Sequence, residues 1–248
     1  MTDPLLAASR VVCLAQTQST NDDAFDLLTR ERDCLVWSLD QTAGRGSRGR
    51  EWVAPGGHVL AVSLGFSGDL LPRPGQLCYP LLAGVVLYDV LQQLMASTCF
   101  ALKWPNDVLM MDRKVAGILC ESRWVRDVPR IVIGMGINLK RHPQLDALPK
   151  GYAALAEASN TPTAAELVES LRRLFPERLA ALGTASALNN AWLARCGLPL
   201  GSALRLSAQG REHEGFFAGL DPEGSFLLRR KDTSIIPIRQ TCDDFEVL

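Results

Sequence analysis

The stretch Gln41-Thr42-Ala43-Gly44-Arg45-Gly46-Ser47-Arg48-Gly49-Arg50-Glu51-Trp52 places three glycines and three arginines in the seven positions from Gly44 to Arg50. Glycine lets backbone N–H groups approach an anion closely, and guanidinium forks pair with phosphate or carboxylate oxygens. Such a loop reads as a flap over a phosphorylated ligand, its like charges kept apart until the anion arrives. The same composition also suits a flexible, solvated basic turn or an arginine–glycine patch for nucleic acid, and the segment alone does not choose. It is not a P-loop, because no Gly-Lys-Ser/Thr follows, so a Walker-type nucleotide hydrolase is disfavoured.

Around this loop, strands and helices are mixed. Val11–Ala15 reads as a strand, and Ser19 or Thr20 as the N-cap of a helix running to about Arg30 with Asp22 and Asp23 in its first turn. Cys34–Leu39 and His58–Phe66 read as strands on either side of the loop. Apolar positions recur at three- and four-residue spacing from Gly75 to Met95, predicting a long helix apolar enough to be central. Phe100–Trp104, Val108–Met111, Val115–Arg123 and Arg130–Leu139 read as successive strands. Thr163–Leu182 is helical, capped by Thr163 and kinked or divided at Pro176. Ser186–Cys196 is a shorter helix, closed by Gly197.

Beyond Gly197-Leu198-Pro199 the texture changes. Ala203–Ser207, His213–Leu220, Ser225–Arg229 and Ser234–Ile238 are short β-like runs separated by turns at Ala208–Arg211, Asp221–Gly224 and Lys231–Thr233. They predict a small barrel-like module, with a boundary between 197 and 198. The fold class is therefore α+β, a mixed sheet with helices in residues 1–197 and a β module in 198–248.

Composition excludes several function classes. A formal net charge of -1 supplies no global field toward nucleic acid or anionic membrane. No apolar run approaches the roughly 20 residues that span a bilayer. Met1–Arg10 has no cationic start followed by an apolar core, so no signal peptide is expected and the protein is placed in the cytoplasm. Seven cysteines scatter without any Cys-x-x-Cys pair, which fits free thiols in a reducing compartment. His58, His142 and His213 show no metal-ligand spacing. Gly-x-Ser-x-Gly is absent, against a serine hydrolase.

Two further segments carry chemistry. In Lys103-Trp104-Pro105-Asn106-Asp107 a lysine ends an apolar strand and its ammonium projects near the sheet edge, while Asn106 and Asp107 offer polar groups to a ligand or metal. A turn with a snorkelling lysine is the plainer alternative. Gly134-Met135-Gly136-Ile137-Asn138-Leu139 is a poor dinucleotide fingerprint, having no third glycine and no helix start. It reads as a strand whose glycines let a ligand pack on it, or as a β-bulge.

In order and spacing, Ser19-Thr20-Asn21, Gln41 to Trp52, Lys103 to Asp107, Lys114-Val115-Ala116-Gly117-Ile118-Leu119 and Gly134 to Leu139 resemble the biotin protein ligases. The likeness spans essentially the whole chain. It implies a class II aminoacyl-tRNA synthetase-like catalytic domain followed by an SH3-like domain. The implied reaction couples biotin to ATP, giving biotinyl-5′-adenylate and pyrophosphate, then transfers biotin to a lysine of a biotin carboxyl carrier protein. By similarity, Ser19, Thr20, Asn21 and Gln41 contact the biotin rings, whose ureido head has one acceptor and two donors. Arg45, Gly46 and Ser47 lie on the covering loop, with Arg45 also a catalytic candidate, and Gly117 lines the ligand strand. Arg48, Arg50, Trp52, Asn106, Lys114 and Asn138 fall to ATP. Lys103 is chosen as the central cation, bridging the biotin carboxylate and the α-phosphate and so stabilising a charge-rich transition state. Mg²⁺ is expected with ATP, held largely by phosphates and water, with no metal site of the protein's own.

Two departures stand out. The family loop usually reads Gly-Arg-Gly-Arg, and here the fourth position is Ser47; either adenylate retention weakens or Arg48 takes over. Some bacterial members carry an N-terminal helix-turn-helix and act as repressors. Eighteen residues precede Ser19 here, too few for such a domain, so a short form without DNA binding is expected, monomeric or homodimeric. Rival readings are a lipoate ligase, a biotin-binding sensor without transfer, and nucleic-acid binding through the arginine loop.

Overall fold

The structure, a computed structural model, describes residues 6, 9–72, 75–125, 127–148, 151–208, 211–239 and the backbone of 242–247. Most of the Met1–Arg10 segment and the centre of the expected Ala208–Arg211 turn lie outside the described residues.

Strands β1 (Arg10–Leu14), β2 (Asp33–Ser38), β3 (Val59–Ser67), β4 (Phe100–Lys103), β5 (Asp107–Met110), β6 (Arg113–Val125) and β7 (Val128–Asn138) form one mixed seven-stranded sheet, ordered β1-β2-β3-β7-β6-β5-β4. β1 runs parallel to β2 and every other pairing is antiparallel. This is the expected α+β architecture.

Alternation along the central strands decides the layers. On β7, Ile131, Ile133, Met135 and Ile137 join the main core, packed against α2 (Tyr79–Leu94). Eleven of the sixteen residues of α2 are buried, because α4 (Ala164–Ala181) and α5 (Ala185–Leu193) cover its outer side. The opposite register of β7 holds Val132, Gly134, Gly136 and Asn138. Val132 packs under α1 (Thr20–Leu27) with Ala24, Phe25, Leu28, Cys34 and Val36. Past the end of α1 that face carries Ala61, Gly117, Gly134 and Gly136, too small to fill the space. A trough results, and a short helix α3 (Pro143–Asp146) closes its far side with Leu145.

Three local expectations are corrected. Pro176 does not divide α4, which runs unbroken from Ala164 to Ala181: Leu171, Leu174 and Phe175 before it are buried, and Arg178 beyond it is paired with buried Asp89 at 2.6 Å, so packing anchors both sides. The next helix ends at Leu193, and Gly197 instead donates its N–H to Leu102 O, tying the chain to β4. Ser19 occupies the N-cap of α1 without a capping side chain, because Gln41 Oε1 accepts the Thr20 N–H at 3.0 Å in its place. The Thr163 cap forms as read, reciprocated by Glu166.

The C-terminal strands β8 (Ala203–Ala208), β9 (Arg211–Leu220), β10 (Phe226–Arg229), β11 (Ile235–Ile238) and β12 (Cys242–Val247) form a separate five-stranded antiparallel sheet, ordered β11-β10-β9-β8-β12. The sequence reading had four of these. Trp104 joins the two sheets, donating from Nε1 to Gly224 O at 3.0 Å and packing its ring 5.5 Å from that of Phe226.

Candidate functional site

The trough is a cleft of about 350 Å³. Ser19, Thr20 and Asn21 enter it from the first turn of α1, and all three are buried. Gln41 meets them, its Oε1 accepting from both N and Oγ1 of Thr20. Beneath, Ser63 is fully buried and lies within hydrogen-bond reach of Thr20 Oγ1 (2.8 Å) and Asn21 Oδ1 (2.6 Å). Asn21 Nδ2 donates to Glu121 Oε2 at 2.6 Å. This end is a neutral, hydrogen-bonded floor with a carboxylate at its edge. A Cβ on Gly134 would fall on the Asn21 amide, so glycine there makes room for a protein side chain, not directly for a ligand.

The loop 44–52 folds back on itself. Gly46 N–H donates to Arg50 O at 2.7 Å and Trp52 N–H to Gly44 O at 2.9 Å, with Arg48 and Gly49 turning at φ 63° and 70°. These two backbone hydrogen bonds close the loop into a short ribbon. Arg45 leaves it toward protein carboxylates: Nη1 and Nη2 grip Asp22 at 2.6 and 3.1 Å, and Nη2 reaches Glu121 Oε2 at 3.1 Å. Arg123 holds the other side of Asp22. The Arg45 hydrogen bonds, helped by those of Arg123, keep the Asp22 carboxyl below its ordinary value, and Arg45 is pushed further up by the same bonds.

At the other end, Trp52 lies over the cross-strand pair Gly117 and Gly136. Its Nε1 is buried with no hydrogen-bond partner among the described residues. Lys114 stands 5.3 Å from the Trp52 ring centroid, with its Nζ 2.6 Å from Asp107 Oδ1. A bulge produces this. Ala116 and Ile118 point to the α2 core, and strict alternation would send residue 114 there too; the β5–β6 pairing skips Val115, and Lys114 emerges in the cleft. Asn106 and Asn138 line the same end but spend amide donors on backbone: Asn106 on Ile118 O, Asn138 on Ala153 O and more distantly Lys114 O.

Thirteen of the fifteen residues expected in the site line the cleft: Ser19, Thr20, Asn21, Gln41, Arg45, Gly46 and Ser47 at one end and rim, with Arg50, Trp52, Asn106, Lys114, Gly117 and Asn138 toward the other. Two do not. Lys103 sits half-buried at the end of β4, the outermost strand, opposite Asp107, while the floor is made by β3, β7 and β6. Lys114, which the resemblance assigned to ATP, is the lysine that lines the cleft. Arg48 is at the exposed tip of the loop; it is Arg50 that reaches Ser47, Nη2 to Oγ at 3.1 Å. Sequence reasoning missed Glu121, Ser63 and Tyr152. Glu121 stands four positions past Gly117 on the same alternating face of β6, a signal the strand period carries. Tyr152 arrives on a loop with no motif. Among the described residues no three potential metal ligands cluster, and all six cysteines with described side chains are free thiols.

Residues 11–138 match the model of the biotin/lipoate A/B protein ligase family. A biotin–[acetyl-CoA-carboxylase] ligase of Paracoccus denitrificans is 36% identical over 232 residues, spanning 87% of this chain and 92% of its own. The bifunctional ligase/repressor BirA of Salmonella typhimurium is 33% identical over 236 residues, 91% of this chain and 71% of that protein. Among solved structures, the biotin protein ligase from Aquifex aeolicus in complex with biotin and ATP superposes with a TM-score of 0.79 at 21% identity, covering 96% of this chain and 99% of that one. The chain belongs to the biotin/lipoate A/B protein ligase family.

Proposed function

We propose that this chain is an ATP-dependent biotin protein ligase. The biotin carboxylate attacks the α-phosphorus of ATP, giving biotinyl-5′-adenylate and pyrophosphate. The ε-amine of a lysine on a biotin carboxyl carrier protein, a subunit of acetyl-CoA carboxylase, then attacks the acyl carbon and releases AMP. The observation that carries the reading is one cleft with two unlike ends: a neutral floor around Asn21, and a lysine, Lys114, on a glycine-lined wall.

Ser19, Thr20, Asn21 and Gln41 hold the ureido head, whose donors and acceptor match short hydroxyls and amides. Gly46 and Ser47 cover it, Arg45 fastens that cover, and Gly117 makes room for Trp52 and Lys114 against the floor. Lys114 bridges the carboxylate and the α-phosphate, two anions that repel without it. Once the phosphates arrive, Lys114 exchanges Asp107 for them. Arg50 faces the outer phosphates, with Trp52, Asn106 and Asn138 forming the nucleotide end. Lys103, which the resemblance chose for this bridge, and Arg48 stand outside the cleft lining and add positive field to it. Mg²⁺ would come with ATP, held largely by phosphate oxygens and water.

Residues 1–197 form the class II aminoacyl-tRNA synthetase-like catalytic unit and 198–248 an SH3-like one. The division into two sheets and the change of texture at 197 support this. Near-neutral charge supports a protein that works without DNA, as a monomer or homodimer in the cytoplasm beside its carrier; no described helix is long and apolar enough to cross a membrane. The test is to mix the protein with ATP, Mg²⁺, biotin and a carrier domain and probe for attached biotin. Biotin on the carrier lysine is expected, with lipoate failing to substitute; no transfer, or transfer of lipoate instead, contradicts the reading.

A further inference from the structure

We infer that Glu121 is a positioning residue that couples closure of the 44–52 loop to recognition of the biotin head, an inference that rests on the ligase reading above. Its Oε2 accepts from two donors that belong to different parts of the site: Asn21 Nδ2 on the floor at 2.6 Å and Arg45 Nη2 on the loop at 3.1 Å. No other carboxylate joins floor and loop among the described hydrogen bonds; Asp22 accepts from Arg45 and Arg123 but from no side chain of the floor.

The bond to Asn21 fixes which way its amide faces. Glu121 takes one Nδ2 hydrogen, and Ser63 lies 2.6 Å from Oδ1. A flipped amide would set its carbonyl against the carboxylate, and the close approach to Gly134 allows no sideways escape. One N–H and one lone pair of Asn21 are left for a ligand with both an acceptor and donors, as a ureido group has. The bond to Arg45 is charge-assisted and brings the loop down onto the same carboxylate. A ligand that stiffens Asn21 stiffens Glu121, and with it the seat of Arg45. Reciprocity requires that loosening Arg45 weaken the ligand.

A double-mutant cycle on biotin affinity, measured by calorimetry without ATP, tests this. Glu121→Gln keeps a hydrogen-bond acceptor but loses the charge, and weakens biotin about tenfold. Asp22→Asn touches no cleft residue except through Arg45, and weakens biotin about threefold. In the double variant Asp22→Asn adds nothing further, leaving the loss at about tenfold, with circular dichroism melting curves showing folded protein throughout. A double variant near the product of the two losses overturns the coupling, as does wild-type affinity in Glu121→Gln. The wild-type protein supplies the second measurement, free of any folding question. Biotin alone slows tryptic cleavage after Arg48 and Arg50 several-fold; equal cleavage with and without bound biotin overturns the coupling too. Failure of the wild-type protein to bind biotin at all overturns the ligase reading itself, which keeps the two failures apart.

Discussion

At one end of the cleft Thr20, Asn21, Gln41 and Ser63 hold one another through neutral hydrogen bonds. At the other, Lys114 is held by the carboxylate of Asp107, and the Trp52 indole keeps a buried N–H without a partner among the described residues. The first end is finished before any ligand arrives: its amide and hydroxyl dipoles are already aimed, so binding requires little rearrangement. The second keeps its cation neutralised internally and must exchange one anion for another. On the proposed assignment, a neutral ring system and a polyphosphate need these different preparations, because a half-buried ammonium without a counter-charge is costly while a satisfied amide is not.

Removing the cation should break the contrast hardest. Lys114→Ala is expected to lower the rate of adenylate formation by about 10²–10³ while leaving biotin affinity nearly intact. Comparable losses in both quantities would mean the ends are not separable. Next comes the floor. Gly134→Ala drives a methyl into the Asn21 amide; calorimetry should show biotin affinity reduced at least tenfold, and denaturant unfolding a loss of about 1–3 kcal/mol. Unchanged affinity would show that Asn21 does not meet the ligand. Asp107→Asn sharpens the picture of the other end. Without its counter-charge Lys114 is less well aimed but more attractive to phosphate, so kcat should fall about tenfold while the KM for ATP does not rise. A raised KM would make Asp107 a ligand contact instead.

The smallest effect is with pH. Asp22 is held below its usual range by Arg45, so its grip on the loop is complete above the unfolded carboxyl value and is lost as pH falls through the lower folded one. Tryptophan fluorescence from the Trp52 region should therefore be flat from about pH 5 to 8 and change only below about pH 4. A transition near neutrality would point to another latch.

How much of this was readable in advance differs between the two ends. Periodicity located the sheet strands and α2, since burial on one face leaves a period-2 or period-3.6 trace that Ile131–Ile137 and Leu81–Leu91 carry openly. The resemblance brought in Ser19–Asn21 and Gln41, though not the Ser63 hydroxyl beneath them, which looks like any small residue in an apolar strand. Lys103 is conspicuous in the sequence because a lysine ends a strand before a Pro-Asn-Asp turn, while its place on the outermost strand is not. Lys114 reaches the cleft only through the bulge that skips Val115, and a bulge leaves no mark in hydrophobic alternation. Glycines 134 and 136 were legible as a place of close approach. What approaches, an asparagine and a tryptophan of the same chain, depends on contacts more than eighty residues apart in sequence.

Biotin-dependent ATP–pyrophosphate exchange, run side by side on the wild-type protein, Lys114→Ala and Lys103→Ala, bears most directly on the central claim. The account predicts exchange by the wild type with biotin and not with lipoate, near abolition in Lys114→Ala, and at least about tenfold more residual exchange in Lys103→Ala. Exchange that survives loss of Lys114 and collapses with loss of Lys103 would contradict it.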